Sequence, residues 1–382
     1  MTHRFGLGCT RTAGRLAAVA LGLWSSAAAA LDPADVRKAA EYSAAHRGLS
    51  LLVIQGRETI HESYPNGHSA GERHKIYSGT KAFWNLAALA AVEEGWLRLD
   101  ERVAETIGEW REDAGKARVT VRQLVDFSSG LDPGMSLHAN DPGDRGKMAI
   151  ALPLVAEPGS TFIYGPASLQ VLHEVLERKL TGRGETPVRY LERKVLKPLG
   201  LGAQRHLRDR AGNPLLATGW MLTARQWAGL GRLALAGGAP VVGSGAFTQS
   251  WRGSGANRAF SLGWWNNRAA PGGREFDIED MLERDWQRQS WRGTCICRDA
   301  PDDLVACLGS GYQRLFVIPS MDLVVVRQGE FGKFSDGQFL RLLLGSSHRA
   351  MASQRALAAT LGTPKAMNGP APSSGLPPAR QP

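Results

Sequence analysis

The sequence is poor in the features by which many functions show themselves. It contains no G-x-x-x-x-G-K-[ST] or G-x-G-x-x-G phosphate loop and no H-E-x-x-H pair, so nucleotide and zinc-peptidase chemistry find no support. Nine scattered histidines do not form a metal-ligand pattern, and neither a metal nor an organic cofactor is expected. No apolar run beyond the N-terminus reaches the roughly 18 residues that a membrane helix needs. The 382 residues carry only four cysteines, too few for a disulfide scaffold. Acidic residues are outnumbered, 36 against 46 basic, but the excess sits largely at the ends. Arg4, Arg11 and Arg15 precede residue 30, and Arg355, Lys365 and Arg380 lie in the tail, neither segment holding an acid. The body between is left with about +4, which argues against nucleic acid as a partner, since that reading wants basic residues gathered on one face.

What is present is an ordinary globular composition, 43% hydrophobic and 21% charged. Residues 1–30 read as an export signal: three arginines, a short apolar stretch over 16–24, then Ala28-Ala29-Ala30 as a small-residue cleavage site. The expected mature protein is periplasmic or secreted, without stable membrane insertion once the signal is cleaved. One large domain is expected over 31–350. The tail over 351–382 reads as one more helix and then a Pro/Ala-rich disordered stretch. Oligomeric state is not legible.

Periodicity predicts a helix over 33–46, strands over 48–54 and 58–64, and helices over 82–94, 119–127, 168–179, 187–195 and 223–236. Strands follow over 260–265, 304–308, 312–318 and 323–328, with closing helices over 335–344 and 354–361. Strands at both ends with helices between them predict an α+β fold. Its antiparallel sheet is built from the two chain ends, flanked by helices, around a largely helical insertion. Asp299-Ala300-Pro301-Asp302-Asp303 reads as a turn between Cys295, Cys297 and Cys307. Alternation in such a hairpin would place Cys307 opposite Cys295 and diagonal to Cys297, so one disulfide is expected, three buried thiols being the alternative.

Chemistry concentrates at Ser78-Gly79-Thr80-Lys81, directly before an apolar helix. Residues three apart share a helix face. A lysine that loses its proton on burial can serve as base to the neighbouring hydroxyl. The plain alternative is a helix start, with Ser78 as N-cap and Lys81 on the surface.

The surrounding pattern resembles the serine β-lactamase-related hydrolases, a family of class C β-lactamases, DD-peptidases, esterases and 6-aminohexanoate-dimer hydrolases. After S-x-x-K come Glu94-Gly95-Trp96-Leu97-Arg98-Leu99-Asp100, Val119-Thr120-Val121-Arg122-Gln123-Leu124 and Ser129-Gly130-Leu131. Pro158-Gly159-Ser160-Thr161-Phe162-Ile163-Tyr164, Leu196-Lys197-Pro198-Leu199-Gly200 and Gln313-Arg314-Leu315-Phe316 then follow in the family's order.

The resemblance implies the β-lactamase/transpeptidase-like fold, Ser78 as nucleophile, Lys81 as base and Tyr164 as proton shuttle. A packed core tyrosine is the alternative for Tyr164. Ser128 and Ser129 fall at a turn and are not expected to react. The family's third motif falls at Cys307-Leu308-Gly309. There Gly309 and Gly311 border the substrate, or merely mark a bulged strand, and Ser310 N–H would complete an oxyanion hole with that of Ser78. Two departures stand out. Pro166 replaces the amide or hydroxyl two residues after the tyrosine, and Cys307 replaces the family's Lys or His. The expected activity is hydrolysis of an ester or amide of a small-molecule or peptide-like substrate through an acyl-enzyme. The alternatives are a β-lactamase or DD-peptidase proper, or a non-catalytic homologue that binds cell-wall peptide.

Overall fold

The computed structural model describes residues 30–140, 143–267, 274–275 and 277–345. All but the last residue of the export signal expected over 1–30, the tail expected over 351–382 and the helix expected over 354–361 lie outside the described residues.

A seven-stranded antiparallel sheet organises the chain. Helix α1 (Pro33–Ala45) starts at Asp32, whose carboxylate accepts the Ala34 N–H, and leads into the hairpin β1 (Gly48–Gln55) and β2 (Glu58–Ser63). β1 is buried along nearly its whole length, as a strand covered on both faces requires, and its one buried polar residue, Ser50, donates to Gln328 Oε1 at 2.9 Å. Helices α2 (Thr80–Glu93), α3 (Ala167–Thr181) and α4 (Ala224–Leu235) belong to the helical insertion. Short strands β3 (Phe260–Ser261) and β4 (Trp264–Asn266) and the short helix α5 (Ile278–Leu282) come next. Strands β5 (Val305–Gly309), β6 (Gln313–Ile318) and β7 (Leu323–Gly329) and helix α6 (336–345) close the described chain.

The strand order is β2-β1-β7-β6-β5-β4-β3, so the first and last long strands are neighbours, with Leu52 opposite Val326. Both faces are covered. Gly231 of α4 lies so close to β7 that a Cβ there would come within 2.5 Å of Val324, while Phe339 of α6 stacks on Phe316 from the other side. α2 is buried from Thr80 to Ala91, the signature of a helix that is apolar all round and central to the core.

Two expectations are corrected. The single strand over 260–265 is two strands, broken at Leu262 and Gly263, both of which adopt positive φ (44° and 82°). The cysteines form no hairpin and, among the described residues, no disulfide. Thr294–Cys295 instead pairs in parallel with Arg274–Glu275. The backbone after it is held by one buried side chain: Asn267 Oδ1 accepts the N–H groups of Ile296 and Cys297, and its Nδ2 donates to the Cys297 carbonyl. That puts Cys297 against Gly337 of α6, whereas Cys307 faces Gly79 through the opposite face of the sheet.

Candidate active site

The turn Tyr77–Gly79 precedes α2 and is braced from two sides. His74–Lys75 pairs with Met221–Leu222, and Ile76 N–H donates to the Trp220 carbonyl at 3.0 Å. β5 presses against the same turn so closely that a Cβ on Gly309 would lie 2.1 Å from the Ile76 carbonyl oxygen. Glycine is therefore required at 309 by the turn that carries Ser78. Tyr77 is held at φ 45°, in the left-handed region that a bulky residue adopts only under constraint, with its ring edge-on to Phe331. This turn presents Ser78, half-buried, at the N-terminal end of a fully buried helix.

Lys81 is the second residue of α2, one turn after Ser78, and is 3% exposed. Its Nζ donates to Ser78 Oγ at 2.9 Å and to the Ala217 carbonyl at 2.8 Å. Burial without a carboxylate partner lowers its pKa to about 7. Tyr164 packs among Phe127, Phe260 and Trp265, and its ring sits 4.7 Å beneath the Lys81 ammonium. Its hydroxyl hydrogen-bonds Ser78, yet burial dominates and pushes the phenol well above its ordinary range, so it stays protonated at neutral pH. Ser78, Lys81 and Tyr164 thus converge on one hydroxyl.

A cleft of about 260 Å³ opens over this trio, and Gly165, Gly309 and Ser310 line it as well. Cys307 stands elsewhere. It is fully buried beneath the turn, its Sγ 3.7 Å from the Gly79 carbonyl, and burial raises its thiol to about 12. Gly311, at φ 72°, directs its N–H away to Glu279. Pro166 is the residue that opens α3. Ser129 is spent on Ser168, Oγ to Oγ at 2.9 Å, and Ser128 is buried. The segment Gly67-His68-Ser69-Ala70-Gly71 spells G-x-S-x-G, but Ser69 is exposed in a turn that joins β2 to another strand, not in a strand-to-helix elbow.

Sequence reasoning missed several walls of the cleft. Met135, Trp265, Leu282, Leu308 and Phe331 give it a largely apolar lining. His138 also faces it, and burial, followed by Lys81 and Arg145, lowers its pKa to about 4, leaving a neutral imidazole. Glu279 comes from α5. Arg314 sits at the start of β6, and a charged residue in a strand that is otherwise apolar was a visible signal for it. Among the described residues, no group of three or more His, Cys, Asp or Glu is placed to hold a metal ion, and no helix is long and apolar enough to cross a membrane.

The sequence pattern of the family described as Beta-lactamase matches residues 36–327, a stretch that contains the trio and nearly all of the sheet and of the cleft lining. The chain belongs to the beta-lactamase family. Among curated relatives of this family member, a protein of Escherichia coli O157:H7 named "Putative D-alanyl-D-alanine carboxypeptidase" is 24% identical over 191 residues, 42% of this chain and 43% of that protein. The match therefore spans less than half the length of that relative. Solved structures of the same fold include a class C beta lactamase from Rhodobacter sphaeroides, with a TM-score of 0.57, 16% identity and coverage of 84% of this chain and 99% of that one. A family VIII carboxylesterase superposes with a TM-score of 0.55 at 17% identity, covering 84% and 97%. A D-stereospecific amidohydrolase from Streptomyces gives 0.58 at 16%, covering 82% and 99%.

Proposed function

We propose that this beta-lactamase family member is an exported serine hydrolase that cleaves an ester, or an amide without a strict carboxylate requirement, through an acyl-enzyme on Ser78. The observation that carries the reading is the 2.9 Å contact between Ser78 Oγ and a buried lysine whose pKa lies near neutrality. Neutral Lys81 takes the Ser78 proton as Oγ attacks the substrate carbonyl. Tyr164 holds its own proton too tightly to start as the base, and it hands that proton to the leaving group while recovering one from the lysine side. The N–H groups of Ser78 and Ser310 receive the developing oxyanion. Water then attacks the acyl-enzyme by the reverse relay and frees Ser78.

The charges around the cleft support the substrate preference. The basic side chains lining it, among the described residues, are Lys81, Arg314 and neutral His138. Lys81 is committed to Ser78. The Arg314 guanidinium is 1% exposed and satisfied: Nε on Asp336 at 2.6 Å, Nη1 on the Gly309 carbonyl at 3.0 Å and Nη2 toward Glu279 at 3.4 Å. A substrate carboxylate would have to compete with two carboxylates for it. The uncharged, buried Cys307 offers no cation in its place. A β-lactamase or D-Ala-D-Ala carboxypeptidase reading rests on the names of the relatives, and a binding-only homologue leaves the trio without a task.

The purified protein is expected to hydrolyse p-nitrophenyl butyrate with a kcat/KM well above that for nitrocefin. A preference for nitrocefin by roughly tenfold, worth about 1.4 kcal/mol in transition-state binding, would replace this reading with the β-lactamase one. Export rests on residues 1–30. N-terminal sequencing of protein from the periplasm or medium is expected to begin near Leu31, and an intact Met1 start on that material would overturn it.

A further inference from the structure

Among the described residues, Glu279 is the one carboxylate that both lines the cleft and binds the backbone beside Ser310. It stands on α5, a five-residue helix capped by Asp277, whose carboxylate accepts the Glu279 N–H at 2.9 Å. Each of its oxygens takes a backbone donor from the β5–β6 turn: Oε1 from Gly311 N–H at 2.7 Å and Oε2 from Tyr312 N–H at 3.1 Å. Arg314 closes the circuit from beneath. Its guanidinium donates to the carbonyls of Gly309 and Gln313, to Glu279 and to Asp336 of α6. It also lies 4.8 Å from the Tyr312 ring.

Ser310 therefore sits in a turn whose flanking peptides are clamped. The Gly309 carbonyl before it is tied to Arg314, and the two N–H groups after it are tied to Glu279. The turn needs such a clamp. Gly311 at φ 72° is the kind of residue whose backbone has most freedom to lose, and the strand pairing ends at Gly309 and Gln313, which leaves residues 310–312 outside the ladder. Charge-assisted bonds from N–H to carboxylate are about twice as strong as neutral ones, and two on one carboxylate fix direction as well as position.

We infer that Glu279 is a positioning residue that, through the Gly311 and Tyr312 N–H groups, holds the Ser310 N–H aimed at the carbonyl oxygen of the substrate. This rests on the hydrolase reading above. It adds that α5, distant in sequence from every catalytic motif, sets the geometry of the oxyanion hole. Donors of this kind act only when aimed at the place the oxyanion will occupy, and outright loss of one costs about 10²–10³ in kcat. A donor loosened but still present should cost less.

The test uses the full chain with Glu279→Gln and Glu279→Ala, assayed on p-nitrophenyl butyrate. Glu279→Ala is expected to lower kcat by roughly tenfold to a hundredfold with KM changed less than about threefold, because the lost interaction belongs to the transition state. Glu279→Gln keeps one acceptor oxygen and turns an NH2 toward a backbone donor or Arg314, so its kcat should fall between the two. Hydrogen exchange of the peptide covering 309–313 is read in parallel and should quicken in both variants. Unchanged kcat in the folded glutamine variant overturns the inference. So does a kcat loss with wild-type exchange over 309–313, since the effect would then not pass through the turn. Failure of the hydrolase reading is separable: wild-type protein would show no Ser78-dependent turnover, and exchange alone would decide whether Glu279 orders the turn.

Discussion

Ser78→Ala is expected to abolish covalent labelling by a fluorophosphonate probe and to lower ester turnover by roughly 10⁴-fold or more, the scale seen when the nucleophile of a serine hydrolase is removed, with the fold intact. Ser78 is half-buried on a turn braced by Trp220, Met221–Leu222 and β5, none of which uses its hydroxyl. Lys81 keeps its bond to the Ala217 carbonyl when Ser78 Oγ is gone. The melting temperature should therefore stay within about 1 °C of wild type, a change in stability of well under 1 kcal/mol for a domain of this size. Labelling that persists and maps to Ser69, Ser129 or Ser310 would transfer the nucleophile elsewhere. Ser129 is the least able to take it, because its hydroxyl is buried against Ser168.

The parts of this molecule that were legible in its sequence are those whose cause is local. The apolar run of β1 and the all-round apolar α2 follow from short-range pattern. Ser78, Lys81 and Tyr164 were legible because the chain's motifs occur in one family's order. The structure draws the three onto one hydroxyl from segments more than eighty residues apart. What was not legible has its cause in distant side chains. The cysteine parity argument assumed a hairpin ladder, but the Asn267 amide supplies the hydrogen bonds that such a ladder would have supplied, and it sends Cys297 to the other face of the sheet from Cys307. The strand expected over 260–265 breaks because Leu262 accepts a left-handed φ where its N–H meets buried Asp126. The clamp of Glu279, Arg314 and Asp336 comes from a helix, a strand and another helix. In isolation each reads as an ordinary charge, and only Arg314 stands out against the apolar strand around it.

Lys81 should govern how both activity and stability depend on pH, and in opposite senses for the lysine variant. Acylation needs the neutral amine, so kcat/KM for p-nitrophenyl butyrate is expected to rise with pH through an apparent pKa near 7. Tyr164 does not impose a falling limb in the neutral range, because burial keeps its proton on far above it. The stability argument follows from the same shift. The folded lysine titrates at about 7 and an unfolded one near its ordinary value of 10.5. Between those limits the unfolded chain binds the extra proton, so stability climbs as pH rises from about 7 toward 10.5, and the full cost of burying the charge is felt below 7. Lys81→Met removes that cost. The protein should lose its ester turnover by at least roughly 10². It should also melt several degrees higher at pH 6, the usual response to 1–2 kcal/mol in a domain of this size, with the gain shrinking as pH rises toward 10. The unmade bond to the Ala217 carbonyl offsets part of the gain but does not depend on pH, so the slope is the decisive quantity. Measured side by side at pH 6 and pH 9, wild type and Lys81→Met should show melting temperatures that converge. Parallel curves, or a pH–rate profile flat from 5 to 9, would mean that Lys81 carries its proton throughout and is not the base for Ser78.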